Sequence, residues 1–434
     1  MNIVIVGAGP AGLFLAHQLL AASPNAKVHL YERNPNPLDL EPFDNQGFGL
    51  GLGARIRYWL NNIEGLGEQL AAEGIELNAS GLILIPRHQL CTLILQSLLL
   101  HYGNPAVNEN VRLSINFDTS VVDVDLIRHH IQIENRFGTE IVSYDLLVGA
   151  DGVHSTVRQA MMAVKPEETQ FQQQLRPQVW KVLQLPIQLE LQQSPRIIRL
   201  QTHNTQSGLV FGACLPKKQG GFMALIFWQP TSEQDQLNPG GIATIEELQQ
   251  LLQTMAPKST PAMAPKSTPA FELAPDQAAA FLTAKPGHEY WSHCRCYHSL
   301  DGQTVLIGDA AHGMFSLLGQ GCTAAIADAV ALTSYLQQYD NQLAMALPKF
   351  SAQQVEEGHA VSDLSLISLV FYHRWLGVLY IATTLLWAFI LRRPSIFARL
   401  NQVDAKYVQV LQENQLWVWL AKKLLPTRDS RPNC

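Results

Sequence analysis

The chain of 434 residues carries little charge and no excess of positive charge. Only 15% of its residues are Asp, Glu, Lys or Arg, and 30 basic side chains stand against 36 acidic ones, a net of −6. A general nucleic-acid binder needs a basic face, so the balance argues against that class. Cysteine is sparse, at 91, 214, 294, 296, 322 and 434, with no Cys-x-x-Cys pair. That spacing suggests neither a zinc site nor a disulfide framework, and it fits a reducing cytoplasm. The first residues do not read as a secretory signal. Asn2 to Val6 is apolar, but no basic segment precedes it and glycines interrupt it at once. Long apolar runs are nearly absent, and the exception is Leu364 to Leu391. It is broken by His373-Arg374 and followed by Arg392-Arg393-Pro394. Its unbroken part, Trp375 to Leu391, sits at the lower limit for a bilayer span, which takes about 20 residues. Two readings stand. The segment is a core helix of a helical C-terminal region, or it lies on a membrane surface with Trp375, Trp387 and the two arginines as interfacial anchors.

What is present describes a globular chain. Hydrophobic residues make up 47%, and this length implies two or three substructures. Asn2 to Val6 reads as a buried parallel strand, Ala11 to Ala22 as a helix ended by Ser23-Pro24, and Lys27 to Tyr31 as a second strand. This is a βαβ opening. Further on, the pattern predicts a helix over Arg55–Leu70, a strand at Leu82–Ile85, a buried helix over His88–Leu100 and strands within Val121–Glu134. From Pro177 to Trp228 strand-like pieces follow one another without a helix between them. They predict a mostly antiparallel sheet, suited to facing a substrate. Met255 to Ala262 (MAPKSTPA) then recurs unchanged as Met263 to Ala270. Two short Pro- and Ser-rich copies cannot build a core, so the repeat reads as an exposed loop. A helix is expected over Thr323–Leu336, and helical periodicity beyond it.

Three glycine corners carry the chemistry. Gly7-Ala8-Gly9-Pro10-Ala11-Gly12 follows a strand and opens a helix. Gly7 permits the tight turn, Gly9 lets backbone approach a pyrophosphate, and Gly12 lets helix and strand pack closely. The helix N-terminus offers unpaired N–H groups to phosphate. Glu32, followed by Arg33, ends the second strand, where a carboxylate accepts ribose hydroxyls. A carboxylate there suits FAD or NAD better than NADP. The second corner is Gly149-Ala150-Asp151-Gly152, with Arg158 beyond it as a candidate phosphate partner. The third is Gly308-Asp309-Ala310-Ala311-His312 with Gly319-Gln320-Gly321. Asp309 can accept from ribityl hydroxyls, and the helix opening at Gly319–Gly321 can face a flavin ring and favour negative charge on it. His312 is a candidate base, though such a histidine more often packs as a bonded part of the turn. Together the corners imply widely separated segments closing around one dinucleotide, FAD.

With these motifs in this order the chain resembles the class A flavoprotein monooxygenases, the aromatic hydroxylase superfamily, over residues 1 to about 340. Trp180–Pro186, Gly221–Trp228 and Cys296–Gly321 are most similar to kynurenine 3-monooxygenase. Arg87, in Ile85-Pro-Arg-His-Gln-Leu90, matches the family's helix-opening arginine that contacts FAD. The resemblance implies hydroxylation of an aromatic or other apolar ring with O2 and NAD(P)H, through a flavin C4a-hydroperoxide, with no metal and no nucleophilic triad. The chain departs from the kynurenine enzymes in carrying Ser316 where they have Pro, leucines at 317 and 318 near their aromatics, and Thr323 where they have Asn. Residues 72–86 are also too short for their insert that binds the substrate carboxylate. Phe211, Phe222, Leu317 and Leu318 are therefore the expected walls of an apolar substrate site.

The expected fold is α/β: a Rossmann-like FAD-binding domain of discontinuous segments (1–72, 86–175 and 291–340), an inserted antiparallel β-sheet substrate domain (73–85 and 176–290) and a C-terminal helical region (341–434). The expected cofactor residues are Gly7, Gly9, Pro10, Ala11, Gly12, Glu32, Arg33, Arg87, Asp151, Gly152, Asp309, Gly319, Gln320 and Gly321. A cytoplasmic protein, with membrane-surface association through 364–391 as the second reading, completes the expectation. Two alternatives stand beside it: hydroxylation of a lipophilic quinone or polyketide at a membrane, and FAD binding without turnover.

Overall fold

The computed structural model describes residues 1–39, 49–77, 81–103, 112–186, 197–205, 208–218, 220–255 and 273–425. The chain opens with strand β1 (Asn2–Val6), helix α1 (Pro10–Ala22) and strand β2 (Lys27–Tyr31), as its pattern predicts. β3 (Gly49–Leu52) leads into α2 (Ala54–Leu60) and α3 (Leu66–Glu73). The single helix expected over Arg55–Leu70 is thus two. Gly65, with φ 74°, takes the left-handed conformation that turns the chain between them. Then come β4 (Ile75–Leu77), β5 (Leu82–Pro86), α4 (Arg87–Tyr102) and β6 (Leu113–Asn116). β7 (Ser120–Asp125), β8 (His130–Asn135) and β9 (Gly138–Ser143) form a small antiparallel sheet, followed by β10 (Leu146–Gly149), α5 (Thr156–Val164) and α6 (Pro166–Thr169).

The middle of the chain is β11 (Gln172–Leu185), β12 (Ile198–Thr205), β13 (Gly208–Pro216) and β14 (Phe222–Trp228), then α7 (Ile245–Met255), α8 (Pro275–Thr283) and β15 (Gly287–His293). These five strands form one antiparallel sheet in the order β12-β13-β14-β11-β15. Side chains alternate across it. Val179, Leu183, Val210, Phe222, Ala224, Ile226 and Trp228 face α7 and α8 and form a core with Leu248, Leu252 and Phe281. The strand pattern did not predict α7 and α8, which cover this face. The octapeptide repeat begins at Met255, the last residue of α7, and its remainder lies outside the described residues.

β16 (Thr304–Leu306) returns the chain to the first sheet, whose order is β16-β10-β1-β2-β6 with β1, β2, β6, β10 and β16 all parallel. Ile3 to Val6 are all buried, as in a strand covered on both faces. α9 (Gly321–Gln338) packs beside α1. The two helices begin at the same edge of the sheet, each directly after a glycine corner.

The end of the chain is helical: α10 (Leu343–Ser365), a 3-10 segment at Leu366–Tyr372, α11 (Arg374–Leu391), α12 (Ile396–Leu400), α13 (Tyr407–Glu413) and α14 (Gln415–Leu424). The apolar stretch 364–391 divides between its two readings. Leu364, Leu366, Ile367, Leu369 and Val370 are core. α11 instead turns outward, with Trp375 82% and Phe389 86% exposed, alongside exposed Val378, Leu379, Leu385, Leu386 and Ile390. Among the described residues no single helix is long and apolar enough to cross a membrane. The pair 343–371 and 375–390, bent by 119°, meets that test together.

Candidate active site

The glycine corners meet. Gly7 has φ 104°, and a Cβ there would lie 2.4 Å from the Ala150 carbonyl oxygen, so the first and second corners touch through backbone. A Cβ at Gly12 would lie 2.0 Å from the Gly7 carbonyl oxygen, which fixes α1 tightly on β1. Glu32 closes the first corner: its Oε2 accepts from the Ala8 amide at 2.7 Å, and its Oε1 accepts from the Asn34 amide and side chain at 3.0 and 2.6 Å. Arg87 opens α4, and a Cβ on Gly9 would come within 3.0 Å of its guanidinium.

A cavity of about 330 Å³ lies among these parts. Gly9, Pro10, Ala11, Arg87, Ala150, Gly152, Asp309, Gly319 and Gly321 line one end. Asp309 is open to the cavity, yet enclosed enough that desolvation raises its carboxyl pKa, against the pull of His312 and Arg87. Gly152, Gly319 and Gly321 face open space where a Cβ would touch nothing. Neither α1 nor α9 has a side-chain cap, so their first amide groups are left for another acceptor. This end fits FAD: two helix N-termini and an arginine for anionic groups, glycine backbone for close approach, and a carboxylate for hydroxyls.

The other end is walled by the antiparallel sheet. Trp180, Leu225 and Phe227 come from it, joined by Gly49 and Gly51 of β3, by His288, Glu289 and Tyr290 of β15, and by Met314 and Ser316. Trp180 pairs with Phe227 across β11 and β14, so both share the face opposite α7 and α8. Glu289 is buried and engaged on both oxygens, with the Arg176 guanidinium on Oε2 and the Ser316 amide on Oε1 at 2.9 Å. That bridge fixes the loop carrying Met314 and Ser316 against the sheet.

Several expected residues sit elsewhere. Phe222 is buried on the opposite face of β14, among the side chains packed on α7 and α8. Phe211 shares the cavity face but lies one strand outward, stacked on Phe227 at 5.2 Å. Leu318 packs into the C-terminal core and Leu317 is 47% exposed, so neither lines the cavity. Gln320 turns its side chain away, with Nε2 donating to the Leu318 carbonyl at 3.2 Å and Oε1 accepting from the Tyr407 hydroxyl at 3.1 Å. Arg33 is exposed and outside the cavity wall. Asp151 caps α5, its Oδ2 accepting from the Thr156 and Val157 amides at 2.7 and 3.3 Å. Arg158, a candidate phosphate partner by sequence, is buried and donates instead to the Ala310 and Val153 carbonyls at 2.9 and 2.7 Å. It clamps the second corner to the third.

His312 is fully buried, 2.6 Å through Nε2 from Asp328 Oδ2. Asp328 also accepts from the Gly308 amide at 2.7 Å and from Gln354 at 2.8 Å. Desolvation lowers the imidazole pKa, but Asp328 and Asp309 outweigh it and the net shift is upward. The histidine holds the third corner shut and does not reach the cavity. Trp180, Phe227, Tyr290, Met314 and Glu289 are the wall residues that sequence reasoning missed. β14 reads Phe-Met-Ala-Leu-Ile-Phe-Trp, apolar at both parities, so nothing in the sequence says which aromatic faces inward.

The fold is the one seen in FAD-dependent monooxygenases. The NAD(P)-binding Rossmann-like domain family matches residues 5–62. A solved structure of 2-methyl-3-hydroxypyridine-5-carboxylic acid oxygenase superposes with a TM-score of 0.61 at 19% identity, covering 84% of this chain and 89% of that one. The chain is a homologue of the kynurenine 3-monooxygenases. It is 25% identical to kynurenine 3-monooxygenase of Salinispora arenicola over 380 residues, 84% of this chain and 78% of that protein. It is 27% identical to kynurenine 3-monooxygenase 2 of Aspergillus niger over 299 residues, 64% of this chain and 58% of that protein.

Proposed function

We propose that this protein is an FAD- and NAD(P)H-dependent monooxygenase that inserts one atom of O2 into an uncharged aromatic ring. One observation carries the reading: a single cavity has glycine corners, two helix N-termini, Arg87 and Asp309 at one end, and Trp180, Leu225, Phe227, Tyr290 and Met314 at the other. FAD would be held by Gly9, Pro10, Ala11, Arg87, Gly152, Asp309, Gly319 and Gly321, with Gly7, Gly12, Glu32 and Asp151 shaping the turns that present them. When bound and reduced by NAD(P)H, it supplies the oxygen chemistry. The protein's part is to hold the ring flat between aromatic and aliphatic walls, exclude water, and offer the α9 N-terminus to developing negative charge. Of the charged groups on the cavity wall, Arg87 stands beside the first glycine corner, and Glu289 is already paired with Arg176. Among the described residues no Arg or Lys lines the sheet end to pair with a substrate carboxylate, and His288 is the basic side chain there, which favours an uncharged ring. The comparisons favour neither the quinone or polyketide alternative nor flavin binding without turnover.

The domain division follows the same reading. The cofactor domain takes 1–72, 86–175 and 291–340, the sheet domain 73–85 and 176–290, and the helical region the rest. Two separate hydrophobic clusters, one within the parallel-sheet half and one under the antiparallel sheet, support setting 176–290 apart, while Ile83 and Ile85 of the 73–85 segment pack in the first cluster. We also infer that α11 rests on a membrane surface, because its Trp375, Leu385, Leu386 and Phe389 are exposed on an apolar helix flanked by Arg392 and Arg393. The test of the main reading is NAD(P)H consumption by the flavin-loaded protein against a panel of ring compounds, with product mass. Stimulation by uncharged rings, with one oxygen gained by the product, is expected. A flavin-loaded protein that consumes no NAD(P)H with any ring contradicts it.

A further inference from the structure

A second cavity of about 350 Å³ shares no lining residue with the first. Leu126, Ile127, Met161, Val164 and Leu300 give it apolar walls, and Cys296 and His298 both open into it. Cys296 Sγ lies 3.1 Å from His298 Nδ1 and 3.1 Å from the His298 carbonyl oxygen, with Ser351 Oγ at 3.7 Å. The neighbouring Cys294 makes the contrast. It is fully buried, its thiol turned to the Cys296 and Thr169 carbonyls, and burial pushes it up to about 12. Burial also acts to raise Cys296, but the bond to His298 and its charge reverse the net direction to below the ordinary thiol value. Cys91, Cys214 and Cys322 are all shifted upward by burial. Among the described cysteines, Cys296 alone combines an open cavity, an imidazole at bonding distance and a thiol shifted downward.

We propose that Cys296 is a modification site, oxidised to a sulfenic acid by hydrogen peroxide entering this second cavity, with His298 Nδ1 carrying the thiol proton. The thiolate sulfur attacks one peroxide oxygen. The S–O bond forms as the O–O bond breaks, sulfur gives up two electrons to the peroxide, and the departing hydroxide takes the proton from His298 Nδ1 and leaves as water. The product is a neutral sulfenic acid beside a neutral imidazole. Small, uncharged peroxide can enter a cavity whose lining mixes those apolar side chains with His129, Lys165 and Asp301.

The test uses the full chain in a Cys434→Ser background, treated with hydrogen peroxide and trapped with dimedone, and read by peptide mass mapping. At pH 7 Cys296 is labelled at least about tenfold faster than Cys91, Cys214, Cys294 or Cys322, since one pKa unit is tenfold in thiolate. His298→Ala slows Cys296 labelling by about tenfold, and the wild-type rate has its pH midpoint below about 8.5, the ordinary thiol value. Equal labelling of all the cysteines, or a Cys296 rate untouched by His298→Ala, overturns the proposal. Should His298→Ala not fold, the wild-type profile decides, and a midpoint at or above the ordinary value contradicts the pair.

Discussion

The two ends of the main cavity are built by different means. The cofactor end is mostly backbone: glycine corners at 7–12, 149–152 and 308–321 with two helix N-termini, stiffened by Glu32, Arg158 and the His312–Asp328 pair. The ring end is mostly side chains on one face of a sheet, with Trp180 and Phe227 set by strand register. A backbone corner as tight as Gly7 and Gly12 tolerates almost no added atom, while a side-chain wall can be recut without losing the fold. Substitutions at the first end should therefore cost flavin and stability, and those at the second should cost selectivity alone.

The sharpest way to break this contrast is Gly12→Ala. The new Cβ would sit 2.0 Å from the Gly7 carbonyl oxygen. Overlap with backbone cannot relax by a side-chain shift, so a loss above about 4 kcal/mol is expected. A denaturant melt together with flavin content checks it, and a stable, fully yellow Gly12→Ala protein would show that the corner is not so tight. Next comes Arg87→Ala. Losing a charge-assisted contact of about 2 kcal/mol should weaken FAD binding about thirtyfold in a titration of the apoprotein, with melting little changed.

At the ring end, Trp180→Ala should leave flavin content unchanged and raise KM for the ring substrate about fivefold, in line with about 1 kcal/mol for an aromatic contact. Steady-state kinetics beside an absorbance spectrum separates the two readouts. If flavin is lost in step with KM, the ends are one structural unit.

The smallest effect concerns pH. His312 has a raised folded-state pKa. The stability it contributes is fully present below its unfolded value of about 6.5 and is lost as pH rises through the higher folded value. Asp328→Asn should flatten that part of the stability–pH curve in denaturant melts across the range. An unchanged slope would mean that the pair does not titrate.

The same division explains what the sequence could reveal. The corners were legible because a backbone need can be met only by glycine, and glycine is visible at Gly7, Gly12, Gly152 and Gly319. The parallel strands were legible because both faces are buried, so Ile3 to Val6 read as a continuous run. The ring wall was not. Phe222 and Phe227 sit on one strand at opposite parity, and a run that is apolar at both parities carries no register. Leu318 looked like a wall residue because it neighbours the third corner, but it was claimed by the C-terminal helices, which no local pattern foretells. Arg158 and Asp151 stand in the second motif, and their polar atoms serve carbonyls and helix amides of the protein itself.

The claim on which the rest depends is that three remote glycine corners hold one flavin. The most direct measurement is the absorbance spectrum and FAD stoichiometry of folded, full-length protein after incubation with excess FAD and gel filtration. The account predicts a yellow protein carrying one FAD per chain, a content abolished by Gly12→Ala. A folded, colourless protein with no bound flavin would contradict it.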